Sequence, residues 1–246
     1  MLKIFQMTVL SVFFALFSYQ FTLAEGVSVV SAQKQANLTP DEVLQRLAQG
    51  NKRFVADKKQ GKTHLLDALY SAKKGQNPLA LVFNCVDSRS IANYVFDEGI
   101  GNIFVARIAG NVADENVLGS MEFAAVHAGV KAIVVMGHTQ CGAVAAACQG
   151  DETGTPALDQ LLDQIQPAVS IVKKEEGDAF SCNKPDTIDA IAKQNVQDQI
   201  KYIVANSKDL ADMVKDKKIA LVGAMHNIKT GQVTFFDQSG KVLTFS

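Results

Sequence analysis

The chain has 246 residues, 48% of them hydrophobic and 20% charged, a balance that suits one full-sized α/β domain and excludes a disordered chain. Its 24 basic and 25 acidic residues leave a formal net charge of −1, so charge alone draws it neither to nucleic acid nor to an anionic membrane. Four cysteines are too few to staple a fold of this length, and tryptophan is absent.

Residues 1–24 have the form of a secretory signal peptide. Lys3 supplies a positive start, Met7 to Phe17 an apolar run, and Thr22-Leu23-Ala24 the small residues that a signal peptidase accepts. A membrane anchor is the competing reading, because Ile4 to Leu23 could just span a bilayer. Gln6, Ser11, Ser18, Tyr19 and Gln20 weaken it. The expectation is therefore cleavage after Ala24 and a periplasmic or secreted protein that carries no further membrane attachment.

Residues 25–37 are small and polar without a period and read as a flexible leader. Thr39-Pro40-Asp41-Glu42 then starts a helix, with Thr39 as cap, proline in the first turn and Glu42 at the capping-box position. Apolar residues at 43, 44, 47, 48, 54 and 55 continue it as an amphipathic helical arm. Leu79 to Phe83 is a short continuous apolar run, as in a strand buried on both faces. Asn102 to Ile108, Lys131 to Met136, Ile219 to Met225 and Val233 to Phe236 repeat the pattern. Between the strands lie helical stretches at 114–128, 142–149, 156–174 and 187–206. The alternation predicts one α/β domain over residues 38–246, a mostly parallel sheet covered by helices on both faces. Gly231-Gln232 predicts a closing antiparallel hairpin at the sheet edge.

In such sheets chemistry gathers at the carboxyl ends of the strands. The 79–83 strand runs into Cys85-Val86-Asp87-Ser88-Arg89, and the 131–136 strand into Gly137-His138-Thr139-Gln140-Cys141-Gly142. Two thiolates and one imidazole suit Zn²⁺, and three protein ligands leave a position for water, the mark of a catalytic rather than a structural zinc. The plainer reading of Cys85 and Cys141 as small buried hydrophobes gives way once Asp87, Arg89 and His138 stand beside them.

These two segments resemble the signatures of the β-class carbonic anhydrases, with His138 standing 53 positions after Cys85. Arg107-Ile108-Ala109-Gly110-Asn111, Gly119 to Ala124 and Leu38-Thr39-Pro40 are also in that family's style. The resemblance implies zinc held by Cys85, His138 and Cys141, one ion per subunit, with Asp87 and Arg89 as a catalytic dyad. It implies reversible hydration of carbon dioxide to bicarbonate and a proton by a hydroxide nucleophile on the zinc. It also implies a homodimer, or a homotetramer built from dimers, with each cleft at the subunit interface. By the same analogy Gln76, Phe104, Ile108 and Phe123 line the substrate cleft; the Gly142 amide, opening a helix, can donate to a product oxygen.

Chemistry gives the dyad its part. Two thiolates neutralise a divalent ion, so other groups must help to hold hydroxide, and an ionised Asp87 can accept its hydrogen bond while Arg89 grips the carboxylate. Were Arg89 to release it, the carboxylate could reach the metal and shut the site; the open arrangement is the one expected here. Ser90-Ile91-Ala92 departs from the run usual in the family but touches no ligand. His64, His127 and His226 have no spacing that marks a proton shuttle. Cys148 and Cys182 either pair as a single disulfide or stay as two buried thiols. Two other functions compete: hydrolysis of carbon disulfide or carbonyl sulfide on the same zinc site, and non-catalytic zinc or bicarbonate binding.

Overall fold

The computed structural model describes residues 29–58 and 65–245; the expected signal segment, with His64, lies outside them. Ten α-helices and five strands stand in the described residues. Part of the expected leader is a short helix, α1 (Ala32–Asn37), capped by the Ser31 hydroxyl on the Lys34 amide. Gln35 ties it down by donating to the carbonyls of Pro78 (2.6 Å) and Ala128 (2.8 Å). These contacts are 43 and 93 residues away in sequence, so no local pattern announces them.

Helix α2 (Pro40–Val55) begins with the predicted capping box, in which Thr39 and Glu42 satisfy each other's backbone amides. α3 (Leu65–Lys74) leads to β1 (Ala80–Asn84), and α4 (Ala92–Val95) to β2 (Ile103–Arg107). Next come α5 (Glu115–Glu122), prolonged to His127 by a wider helical turn, and β3 (Ala132–His138). α6 (Gly142–Gln149) follows, then α7 (Pro156–Asp163) and α8 (Gln166–Glu176). Sequence pattern predicts one helix over 156–174; the chain makes two because Pro167 has no amide to donate back to Asp163. α9 (Pro185–Asn206), α10 (Lys208–Lys215), β4 (Ala220–His226) and β5 (Val233–Phe236) complete the chain.

The sheet order is β2-β1-β3-β4-β5, parallel except for the final antiparallel β4–β5 pair. Both faces are covered, which explains why β1 and β3 are buried at every residue. On one face Val43, Leu44 and Leu47 of α2 meet Val82, Val134 and Val222. On the other, Leu118, Met121, Val196 and Ile200 meet Phe83, Ile133 and Val135. Each such side chain removed from water stabilises the fold by roughly 1.5–3 kcal/mol.

α2 lies unusually close to its neighbour. A Cβ on Gly50 would stand 1.9 Å from the Phe96 carbonyl oxygen, so only glycine permits the approach. One turn to either side, Arg46 and Arg53 share a face seven residues apart and reach Glu98 and Asp97, each at 2.5 Å. Both carboxylates are buried, and Asn102 gives Glu98 a further hydrogen bond of 3.0 Å. A covalent fastening joins Cys148, near the end of α6, to Cys182, just before α9, as a disulfide.

Candidate metal centre

β1 and β3 are neighbours, and their connections leave in opposite directions along the sheet: this is the switch point where parallel sheets open a crevice. Cys85 directly follows β1, His138 ends β3, and Cys141 precedes α6. The structure brings the three together: one donor atom from each lies within 4.8 Å of the others, all buried. The two sulfurs are 4.0 Å apart. A tetrahedral zinc with bonds of about 2.3 Å to sulfur needs its sulfurs about 3.8 Å apart, so the pair already has the right span.

The histidine is in the right tautomer. Its Nδ1 lies 3.0 Å from the Thr139 carbonyl, which only accepts, so the proton sits on Nδ1 and the Nε2 lone pair is free. That Nε2 is buried and has no hydrogen-bond partner, an orphan that a metal ion would satisfy. Without an ion the sulfurs share a proton: the hydrogen bond from Cys141 holds Cys85 down to about 4, and Cys141 is pushed up in turn. Backbone amides of Asp87 and Gly110 also favour the Cys85 thiolate, and those of Ala143 and Val144 at the start of α6 favour a Cys141 thiolate. The donor set fits zinc in number, chemistry and span.

Two left-handed turns make the convergence possible. Gln140, between His138 and Cys141, has φ +56°, a left-handed conformation costing a non-glycine residue on the order of 1 kcal/mol or more. Asp189 of α9 holds it there by accepting from the Gln140 amide at 2.8 Å. Gly110, at φ +64°, turns its amide onto the Cys85 sulfur at 3.3 Å.

Asp87 and Arg89 form the pair that their spacing suggested. Arg89 Nη2 meets Asp87 Oδ2 at 2.7 Å, and its Nε and backbone amide reach Oδ1 at 3.0 and 2.9 Å. The Arg89 guanidinium thus holds the Asp87 carboxyl well below the usual carboxylate range. Oδ2 lies 3.9 Å from His138 Nε2, facing the metal donors while remaining bound to Arg89, as in the open arrangement. The loop carrying both residues is pinned from outside. Arg107, at the end of β2, donates to the carbonyls of Cys85 (3.0 Å) and Asp87 (2.6 Å). Asn84 donates to the Ser90 carbonyl at 2.6 Å, and the Ser90 hydroxyl shares a 3.0 Å hydrogen bond with His226 Nδ1.

Sequence patterns gave neither Arg107 nor His226 a role. His226 sits opposite His138 in the β3–β4 register, buried, and burial lowers it to about 4, so it is neutral at physiological pH. His127 is exposed on the far helix. Of the residues proposed for the substrate cleft, Ile108 and Gly142 stand by the metal donors: Ile108 donates to the Asn84 carbonyl at 3.1 Å, and Gly142 follows Cys141. Gln76, Phe104 and Phe123 do not join them within one chain. Phe104 pairs in register with Leu81, four residues before Cys85 and so about 13 Å down the strand, and Phe123 packs on Phe104 with ring centroids 6.1 Å apart. Gln76 precedes β1 at the same far end of the sheet.

Comparison with known proteins agrees with this geometry. The carbonic anhydrase family matches residues 80–233. Carbonic anhydrase 2 of Mycobacterium tuberculosis is 32% identical over 206 residues, spanning 84% of this chain and 97% of that protein. Among solved structures, one of two tetrameric β-carbonic anhydrases from the ascomycete Sordaria macrospora superposes with a TM-score of 0.63 at 26% identity, covering 80% of this chain and 96% of that one. The β-carbonic anhydrase CcaA shares the fold, with a TM-score of 0.66 at 23% identity over 82% of this chain and 98% of its own. The three converging donors, the sheet that presents them and these likenesses lead to one conclusion: the chain belongs to the β class of the carbonic anhydrase family.

Proposed function

We propose that the protein catalyses the reversible hydration of carbon dioxide to bicarbonate and a proton, with one zinc per subunit on Cys85, His138 and Cys141. The observation that carries this reading is the buried donor triad with the Asp87–Arg89 pair turned toward it. Zinc, when bound, acidifies water so that a hydroxide nucleophile is available near neutral pH.

Asp87 stays ionised because Arg89 holds it, so its Oδ2 can only accept a hydrogen bond. It therefore orients the attacking oxygen, leaving the lone pair aimed at the carbon of the substrate. Arg89 keeps that carboxylate from swinging toward the metal. Ile108 offers an apolar wall for a substrate without a dipole, and the Gly142 amide a donor for a product oxygen. Backbone amides on both sulfurs draw off thiolate charge, which offsets the weak Lewis acidity of a two-thiolate site.

A second copy of the chain completes the cleft in this account. β2 is an edge strand, and Val105 on it stands exposed with Val86, Ile91, Tyr94, Phe123 and Val126, Phe123 to 57%. Apolar side chains on an open strand edge ask for cover, and a copy of the same face meets that need in a homodimer. Gln76, Phe104 and Phe123 would then serve the partner's cleft rather than their own. Export is supported by the form of residues 1–24 and by the Cys148–Cys182 disulfide, a bond that persists in oxidising compartments.

The test is stopped-flow hydration by the zinc-loaded protein beside Asp87→Ala. Loss of the orienting acceptor should lower kcat on the order of 10²-fold with zinc retained. Equal rates in the two proteins would remove the dyad from the mechanism. Release of sulfide from carbon disulfide, with no hydration of carbon dioxide, would reassign the substrate.

A further inference from the structure

α9 runs beneath the metal centre and presents Asp189, Ala192, Asn195 and Gln199 at spacings of three and four, one stripe of one helix face. Asn195 and Gln199 are buried, and a buried carboxamide costs free energy unless both its ends are used. All four ends are. The Ala113 amide donates to Gln199 Oε1 at 2.8 Å, and Gln199 Nε2 donates to Asn195 Oδ1 at 3.1 Å. Asn195 Nδ2 then donates to the Gly110 carbonyl at 2.8 Å. The orientation of this relay is dictated at both ends, since a backbone amide only donates and a carbonyl only accepts. It stops at the residue whose own amide points at the Cys85 sulfur, 3.3 Å away.

Gly110 needs that support. Its φ of +64° is followed by φ +46° at Asn111, two left-handed residues in succession that nothing in their own sequence enforces. Ile165 packs so close to Gly110 that a Cβ there would stand 2.8 Å from its Cδ1, so the turn is wedged from one side and hydrogen-bonded from the other. We propose that Asn195 is a positioning residue for the metal centre: by holding the Gly110 turn it keeps the N–H on the Cys85 sulfur and so sets how strongly that thiolate donates to the bound ion. The inference rests on the zinc reading above. An N–H bond to a thiolate withdraws electron density, and in a dry pocket the effect is not diluted by water.

Cobalt(II) in place of zinc makes thiolate donation visible as a sulfur-to-metal charge-transfer band. The full chain loaded with cobalt should show that band. In Asn195→Leu it should move to longer wavelength, because a thiolate without its N–H partner gives up charge more easily. In the zinc form of the same variant kcat should fall about tenfold with KM unchanged. Gln199→Leu, which frees Asn195 without touching the turn, should shift the band the same way by less, and it carries the test if Asn195→Leu does not fold. A band that stays in place in the folded variants, even with a lower melting temperature, would reduce Asn195 to a packing role and overturn the proposal. A wild-type protein that binds cobalt without any such band would remove the metal reading itself, and this inference with it.

Discussion

Arg107 is the clearest lever on the site that touches no reacting atom. From the end of β2 it donates Nε to the Cys85 carbonyl and Nη2 to the Asp87 carbonyl, at 3.0 and 2.6 Å. Hydrogen bonds from a charged donor contribute about 1.5–3 kcal/mol each. The Asp87 carbonyl also keeps the Ser90 amide at 3.0 Å, so its loss is partial. Arg107→Ala should therefore cost about 2–4 kcal/mol, a fall in melting temperature of about 5–15 °C for a domain of this size. The loop it frees carries Cys85 and the Asp87–Arg89 pair, so on the proposed zinc reading a bound zinc should leave to a chelator about tenfold faster. Arg107→Lys keeps the charge and reaches one carbonyl, and should recover about half of the stability. Thermal unfolding and chelator-driven zinc release of the zinc-loaded proteins measure both quantities. An Arg107→Ala protein that melts within about 2 °C of wild type and keeps its zinc equally long would refute the claim that this side chain fixes the loop.

Gly50→Ala should destabilise by about 1–3 kcal/mol despite the better helix propensity of alanine, since its Cβ would collide with the Phe96 carbonyl and push α2 off its two ion pairs; denaturant unfolding reads the sign directly. Arg46→Met leaves the Glu98 carboxylate, 1% exposed, without its charged partner, though Asn102 still donates to it, and should cost about 3–5 kcal/mol, largely recovered when Glu98→Gln is added. His226 is held at about 4 against an ordinary 6.5, chiefly by burial. Its folded value lies below its unfolded one, so the unfolded chain binds the extra proton. Its contribution is intact above about 6.5 and is lost as pH falls toward 4, and His226→Gln should flatten the stability profile across that window. The Cys148–Cys182 bridge closes a separation of 34 residues, and replacing both cysteines by serine should cost about 2–4 kcal/mol, measured by denaturant unfolding without reductant.

Local pattern carried much of the fold. The apolar runs of β1 and β3 are strands because both faces of the sheet are covered, and their predicted ends differ from the observed ones by one or two residues. The capping box at Thr39 and the hairpin at Gly231 are local chemistry and were legible for that reason. The convergence of Cys85, His138 and Cys141 was legible too, since equivalent strand ends of a parallel sheet meet in space. What stayed hidden is held by contacts distant in sequence. α1 owes its place to Gln35 bridging two loops, and the Gly110 turn to Asn195, 85 residues on. α10 is eight residues long and depends on the Ser207 cap. Gln76, Phe104 and Phe123 show the opposite case: the analogy names them for the cleft, and one chain places them at the other end of the sheet.

Titrating zinc into the metal-stripped full-length protein, while following carbon dioxide hydration by stopped flow, tests zinc-dependent catalysis directly. Hydration should stay at the uncatalysed rate without metal, rise linearly with added zinc, and saturate at one zinc per subunit. Zinc bound at one per subunit with no acceleration, or hydration that persists after the metal is removed, would contradict zinc-dependent catalysis.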